Sequence, residues 1–348
     1  MSGCGQATPV QDEILLGAVL PLTGFNSFYG EYSLAAMEIA VADINAAGGV
    51  DGRPIRVLLE DSASDSKVAT TSAEKVIAQG AQMLVTVTAP MGATLAPVAE
   101  NHRIPMIYTA VVNEYTKGKK YVFKDHMEAF DGCVMLAKQA IADGHTRIAL
   151  FGTNVEFTQV CKKGIEHVTS LVAYETYDPG SSDFKTQFTK IKASGADALV
   201  LSSFPIECVH AFSEISQLGL DAQIYISFQS FGCGSTALSR EHALELEGAI
   251  GVDPWINEDH PEYKRLVERL TEKGVTTNIR GSAMWYDMIH TVARSWKGCT
   301  DSECATTQFR ALKDYKGITG TLSYDGKQVI NRPIVVSQFQ NGTWRAVA

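Results

Sequence analysis

Short apolar runs alternate with amphipathic segments along most of this chain. The early strand candidates are ILLGAVL (14–20), IRVLLED (55–61), MLVTVT (83–88) and PMIYTAV (105–111). Between the first two, Leu34, Met37, Val41 and Ile44 recur at helical spacing and share one face. That helix is predicted to end at NAAGG (45–49), where glycine tolerates the positive φ of a C-terminal cap. A second series follows: RIALFG (147–152), SLVAYETY (170–177), ADALVLSS (196–203), AQIYIS (222–227) and EGAIGVD (247–253), with helices between most of them. Apolar strands alternating with helices predict parallel sheets covered on both faces. The rhythm restarts after DGHTR (143–147), so the fold class is α/β with two similarly built lobes.

After residue 254 the rhythm changes. Amphipathic helices are predicted at roughly 261–273 and 281–297, and a shorter one near 306–314. GTLSYDG (320–326) and a final strand, IVVSQFQNG (334–342), close the chain. A late helical block followed by a strand implies several crossings between lobes, which make a hinge where one linker would make a tether.

At 348 residues, two cores are expected. No apolar run approaches the ~20 residues that span a bilayer. A net charge of -9 argues against a nucleic-acid partner, and KGKK (117–120) reads as a solvated loop. There are seven cysteines without CxxC or zinc spacing, so no metal is expected. Cys299 and Cys304 share a turn-rich loop; Cys133 and Cys161 lie near the starts of two helices flanking one strand; Cys208 and Cys233 each follow a strand. Three disulfides would leave Cys4 over. The competing reading is buried free thiols in a reducing compartment. SGCG (2–5) matches the end of a bacterial lipoprotein signal, with Cys4 as the lipid-bearing residue, and equally an ordinary flexible terminus over residues 1–12.

Catalytic signatures are missing: there is no GxSxG, HExxH, Walker A or EF-hand pattern, so neither an enzyme nor a cofactor is expected. FGCGSTA (231–237), with Asp253 further on, has the glycine spacing of a dinucleotide loop. It falls late in a running series of units, and LSREHALELE (238–247) makes a poor apolar-faced helix, which weighs against a cofactor. In EDSASDSK (60–67) an Asp capping a helix accounts for the acids better than a cation does. Phe25, Phe28, Tyr29, Phe157, Phe204 and Phe228 all follow predicted strands. Ligands of open α/β sheets bind at the carboxyl ends of strands. The six rings therefore suggest a cleft with apolar walls, although each alone could be core.

Several stretches resemble one family. GAVLPLTGFNSFYGEYSLAAMEIAVADINAAGGVDGRPIRVLLEDSASD (17–65), APVAENHRIPMI (96–107), SSDFKTQFTKIKASGADALVL (181–201) and GITGTLSYDG (317–326) are similar to the leucine/isoleucine/valine-binding-protein family. These are type I periplasmic binding proteins that deliver solutes to ABC importers, and many are lipid-anchored. The resemblance implies two Rossmann-like lobes with parallel sheets, residues 13–122 plus 253–326 and residues 123–252 plus 327–348. Three hinge crossovers are implied near 122–124, 252–255 and 325–330. It further implies a monomer outside the cytoplasm, periplasmic or at the cell surface and lipid-anchored through Cys4. Its partners would be a small-molecule ligand and membrane permease subunits.

Carried over residue by residue, the family's carboxylate-holding loops correspond to TAPMGAT (88–94) and YTAVVN (108–113). Thr88, Ala89, Met91 and Ala110 are then candidates, with Val112 where a threonine is expected. The acid that meets a ligand's ammonium falls in KDHMEAFDG (124–132), at Asp125 or Glu128. Phe157 and Phe204 take aromatic positions beside Phe28, Tyr29 and Phe228, and Gln229 stands where the family has a glutamate. An unpaired buried ammonium costs several kcal/mol. The implied ligand is an amino acid with an apolar branched or aromatic side chain, or a carboxylate or amide lacking the amine. A ligand-sensing receptor of the same fold is the remaining alternative.

Overall fold

A computed structural model describes residues 13–228, 232–234, 242–324, 326–330 and 332–347. Gln229, Cys4 and most of FGCGSTA lie outside the described residues. The first sheet is all parallel, in the order β2-β1-β3-β4-β5, with β1 Ile14–Leu20, β2 Ile55–Asp61, β3 Met83–Val87, β4 Met106–Thr109 and β5 Val122–Asp125. Helices α1 (Ser27–Ala46), α2 (Ser66–Ala78) and α3 (Ala89–His102) connect the first four strands. Strand β3 is buried along its whole length, which suits an uninterrupted apolar run in a sheet covered on both faces. Gly48 and Gly49 take φ of 100° and 72° after α1, the cap conformation that glycine permits. Asp65 caps α2 by accepting from the Lys67 and Val68 amides, so the acids of EDSASDSK are structural.

The second sheet has the order β14-β13-β10-β9-β8-β6-β7. Its units are α4 (Ala129–Ala142), β6 (Ile148–Thr153), α5 (Glu156–Glu166), β7 (Ala173–Tyr177), α6 (Lys185–Ala193), β8 (Ala198–Ser202), α7 (Pro205–Leu218), β9 (Gln223–Ile226), α8 (Ala243–Leu246) and β10 (Ile250–Pro254). The chain then returns to the first lobe as α9 (Pro261–Glu272), α10 (Ile279–Ser295) and α11 (Ser302–Arg310). Trp285 and Trp296 are fully buried there, in one core with strand residues such as Leu16 and Val85. Helix α11 starts before the predicted 306 because Asp301 caps it, accepting from the Cys304 amide. After the hairpin β11 (Tyr315–Gly317) and β12 (Gly320–Leu322), β13 (Ile334–Gln340) pairs antiparallel with β10, and β14 (Thr343–Ala346) with β13.

Among the described residues the chain passes between the two sheets' lobes at three places: after Asp125, after Pro254 and between Ile330 and Ile334. Strand β5 holds its pairing with β4 through Asp125, so the first crossing occupies residues 126–128. Ion pairs pin each crossing. Arg332 donates to both Asp125 oxygens at 2.7 and 3.0 Å, with both side chains essentially fully buried. Arg280 donates to Asp253 at 2.6 Å and to the Pro254 carbonyl at 2.8 Å. Lys124, fully buried, meets Glu128 at 2.6 Å.

Disulfides join Cys133 to Cys161, Cys208 to Cys233 and Cys299 to Cys304. The first ties α4 to α5. The second ties α7 to the loop after β9.

Candidate functional site

The carboxyl ends of β1, β3 and β4 face those of β6, β7, β8 and β9 across a cavity of about 550 Å³. Segments after these strands line it: Phe25, Asn26 and Tyr29; Thr88 to Pro90; Ala110 to Val112; Val155 to Phe157; Pro179; Ser203 and Phe204; and Phe228. Sheet polarity alone puts them there, because every one of these strands runs parallel within its sheet.

Helix α3 begins at the cavity. Its N-cap, Thr88, has φ 79° and ψ 148°, a conformation unfavourable for a β-branched residue, and no side chain caps the helix. The backbone holds it: the Thr88 amide donates to the Thr109 carbonyl at 3.0 Å and the Thr88 carbonyl accepts from Gly92 at 3.0 Å. Gly92 has no alternative, since a Cβ there would lie 2.6 Å from the Tyr108 ring. That ring's hydroxyl donates to the Val112 carbonyl at 3.0 Å, tying the loop after β4 to the same support. The Thr88 hydroxyl is buried without a hydrogen-bond partner. Pro90 has no N–H, so the Ala89 and Met91 amides carry the positive end of the helix dipole.

The opposite wall is aromatic. Phe157 stands edge-to-face with Phe204 and Phe228, at centroid distances of 5.3 and 5.6 Å. Phe25 of the first lobe meets Phe204 of the second at 6.4 Å. The Tyr115 hydroxyl reaches across to Glu156 at 2.5 Å. Burial and that carboxylate push the tyrosine up to about 12. Below them His126 is buried; burial, then the Lys124 and Arg332 cations, hold it well below the usual histidine range, so its ring is neutral.

Tyr29, Thr88, Ala89, Ala110, Val112, Phe157, Phe204 and Phe228 of the predicted set meet in this cavity wall. Four others do not. Phe28 is 38% exposed and lies against Tyr29 with centroids 3.9 Å apart, because it occupies the outer face of the first turn of α1. Met91 is buried in the core behind α3, one residue beyond Pro90 and turned to the sheet. Glu128 is committed to Lys124, which also donates to the Ala110, His126 and Met127 carbonyls. Asp125 is likewise taken by Arg332. Sequence reasoning missed Tyr115, His126 and Glu156. Position at a strand's carboxyl end was the available signal for His126 and Glu156. Tyr115 lies further into its loop and gave none.

Two α/β lobes, one sheet all parallel and the other mixed, enclose a largely apolar cavity between their strand ends, the architecture of a two-lobed binding protein. The periplasmic binding protein family model matches residues 13–343, and the chain belongs to that family. A Leu/Ile/Val-binding protein homolog 1 of Brucella suis is 26% identical over 332 residues, 90% of this chain and 87% of that protein. The branched-chain amino acid transporter substrate-binding protein LivJ of Streptococcus pneumoniae, solved with isoleucine, superposes with a TM-score of 0.83. It is 22% identical and covers 96% of this chain and 98% of its own. A solute-binding protein of an R. palustris ABC transporter, solved with benzoate, gives 0.82 at 14% identity over 97% of this chain and 96% of its own. At these identities the structural likenesses establish the fold. Among the described residues no helix is long and apolar enough to cross a membrane.

Proposed function

We propose that this chain is the extracytoplasmic receptor of an ABC uptake system and captures an amino acid with an apolar, branched or aromatic side chain. One observation carries the reading: an uncapped helix N-terminus with an unpartnered threonine hydroxyl faces a cavity walled by phenylalanines. Amides of Ala89 and Met91, the Thr88 hydroxyl and the Ala110 backbone hold the carboxylate. Tyr29, Val112, Phe157, Phe204 and Phe228 pack the side chain. The name of the Brucella relative supports this class of ligand. The ligand leaves unchanged, and the closed form is what permease subunits read, one receptor at a time. Three disulfides support an oxidising compartment, with Cys4 as the lipid anchor.

A second reading, a carboxylate without an amine, is favoured by the acids being engaged: Glu156 by Tyr115, Glu128 by Lys124 and Asp125 by Arg332. Thermal shift with leucine, isoleucine, valine and phenylalanine against benzoate separates the two. A ligand at 100 times its Kd stabilises by ~2.7 kcal/mol, and an amino acid is expected to do so. A melting point moved by benzoate and by none of the four amino acids would sink the first reading.

A further inference from the structure

Four of the seven cysteines stand in a fixed relation to the aromatic wall. Phe157 precedes Cys161 by four residues in α5, and Phe204 precedes Cys208 by four at the start of α7. Residues four apart are neighbours on one helix face, so each ring has a half-cystine one turn behind it. The Cys208 amide donates to the Phe204 carbonyl at 3.2 Å, which closes the first turn of α7. Each bridge then leads to a second segment that meets the cavity. Cys208 is joined to Cys233, five residues after Phe228. Gly232 packs so closely there that a Cβ would lie 2.8 Å from the carbonyl oxygens of both Phe228 and Ser203, two residues that line the cavity. On the other side of Cys233, the Gly234 carbonyl accepts from the Trp344 indole at 3.1 Å. Cys161 is joined to Cys133 on α4, which starts directly after the first crossing. There the Ala129 amide donates to the carbonyl of the cavity-lining Val111 at 2.8 Å. All four cysteines are fully buried. The third bridge, Cys299–Cys304, lies in the first lobe at the start of α11, and among the described residues none of α10 or α11 lines the cavity.

We propose that Cys133–Cys161 and Cys208–Cys233 are positioning elements of the binding site. They hold the segments carrying Phe157, Phe204 and Phe228 in the arrangement a ligand meets, so that affinity, and not stability alone, depends on both being closed. This rests on the solute-receptor reading above and applies to either of its ligand classes. A phenyl ring has no polar group to fix it, so its place is set by the backbone beneath it and by the rings around it. Here the backbone beneath each ring is cross-linked within one turn of helix or five residues of loop. A wall ordered before the ligand arrives removes an entropic cost from binding.

Three double variants test this: Cys133→Ala with Cys161→Ala, Cys208→Ala with Cys233→Ala, and Cys299→Ala with Cys304→Ala. L-leucine, L-phenylalanine and benzoate are the probes, titrated by calorimetry at one temperature well below the lowest melting point. Whichever of them the wild type binds, the first two variants should bind about 3- to 10-fold more weakly, the scale of one or two side chains that must now be ordered on binding. The third should bind as tightly as the wild type. Wild-type affinity in either second-lobe variant, or an equal loss in the third, overturns the proposal and leaves the receptor reading standing. A wild type that binds none of the three probes overturns both. Should a second-lobe variant not fold, the wild type decides by reciprocity. In a glutathione buffer each bridge closes as its two thiols pass two electrons and two protons to one oxidised glutathione, leaving two reduced. A ligand that binds more tightly when a bridge is closed favours that closure by the same factor. The saturating probe is therefore expected to shift Cys133–Cys161 and Cys208–Cys233 about 3- to 10-fold further toward the disulfide than it shifts Cys299–Cys304, read by thiol alkylation and mass spectrometry. Equal shifts of all three bridges overturn the proposal.

Discussion

Single residues at the cavity show how strongly environment decides chemistry. His126 is one of eight histidines in the sequence, and burial, then two neighbouring cations, keep its ring unprotonated in the fold. The unfolded chain binds a proton near 6.5 that the folded chain refuses, so stability is full above that pH and falls as pH drops below it. Between pH 7.5 and 5.5 this one group is expected to remove about 1.4 kcal/mol. The half-buried His290 shifts in the same direction, and the raised carboxylates of Asp125 and Glu128 in the opposite one. Comparing urea melts of the wild type and His126→Asn at both pH values isolates the contribution. Parallel stability losses in the two proteins would refute it. Glu128 makes the same point from the other side: it is acidic in the expected loop, but Lys124 claims it.

At the level of elements, the local code and the fold agree well. Apolar runs became parallel strands, Asp65 capped the helix that follows it, and the glycines after α1 adopted positive φ. All three cysteine pairs join elements adjacent in space. The Cys133–Cys161 bridge links α4 and α5 over a separation of 28 residues, so opening it frees a sizeable loop in the unfolded chain. The double substitution Cys133→Ala with Cys161→Ala is expected to cost about 3–4 kcal/mol, seen as a lower urea midpoint. An unchanged midpoint would mean the packing of the two helices suffices alone. Helix α3 shows where local rules end, because nothing near Thr88 in sequence accounts for its strained φ. Strand β4 and the Tyr108 ring impose it.

At the scale of the whole molecule, contacts join the two lobes between residues far apart along the chain. Tyr115 and Glu156 join across the cleft at its mouth, and Phe25 meets Phe204. Tyr115→Phe removes one charge-assisted bond that exists only when the lobes are together. It should therefore weaken every ligand alike, by about 3- to 10-fold, through the population of the closed state. Calorimetry with an amino acid and its deaminated partner reads this directly. Selective weakening of one of them would assign Tyr115 to ligand contact and refute the latch.

Sequence alone determined the alternation of strand and helix, the two-lobed α/β plan and most of the strand-end loops that line the cavity. Those properties are local: side-chain periodicity, glycine at positive φ and the sheet-end rule each act over a few residues. Which side chains within those loops face the cavity was decided by tertiary structure. Phe28 turns outward, Met91 packs inward, and Asp125 finds its partner in Arg332, 207 residues away. A carboxylate buried beside a cation has its electrostatics settled by that cation, and only the folded chain brings the two together.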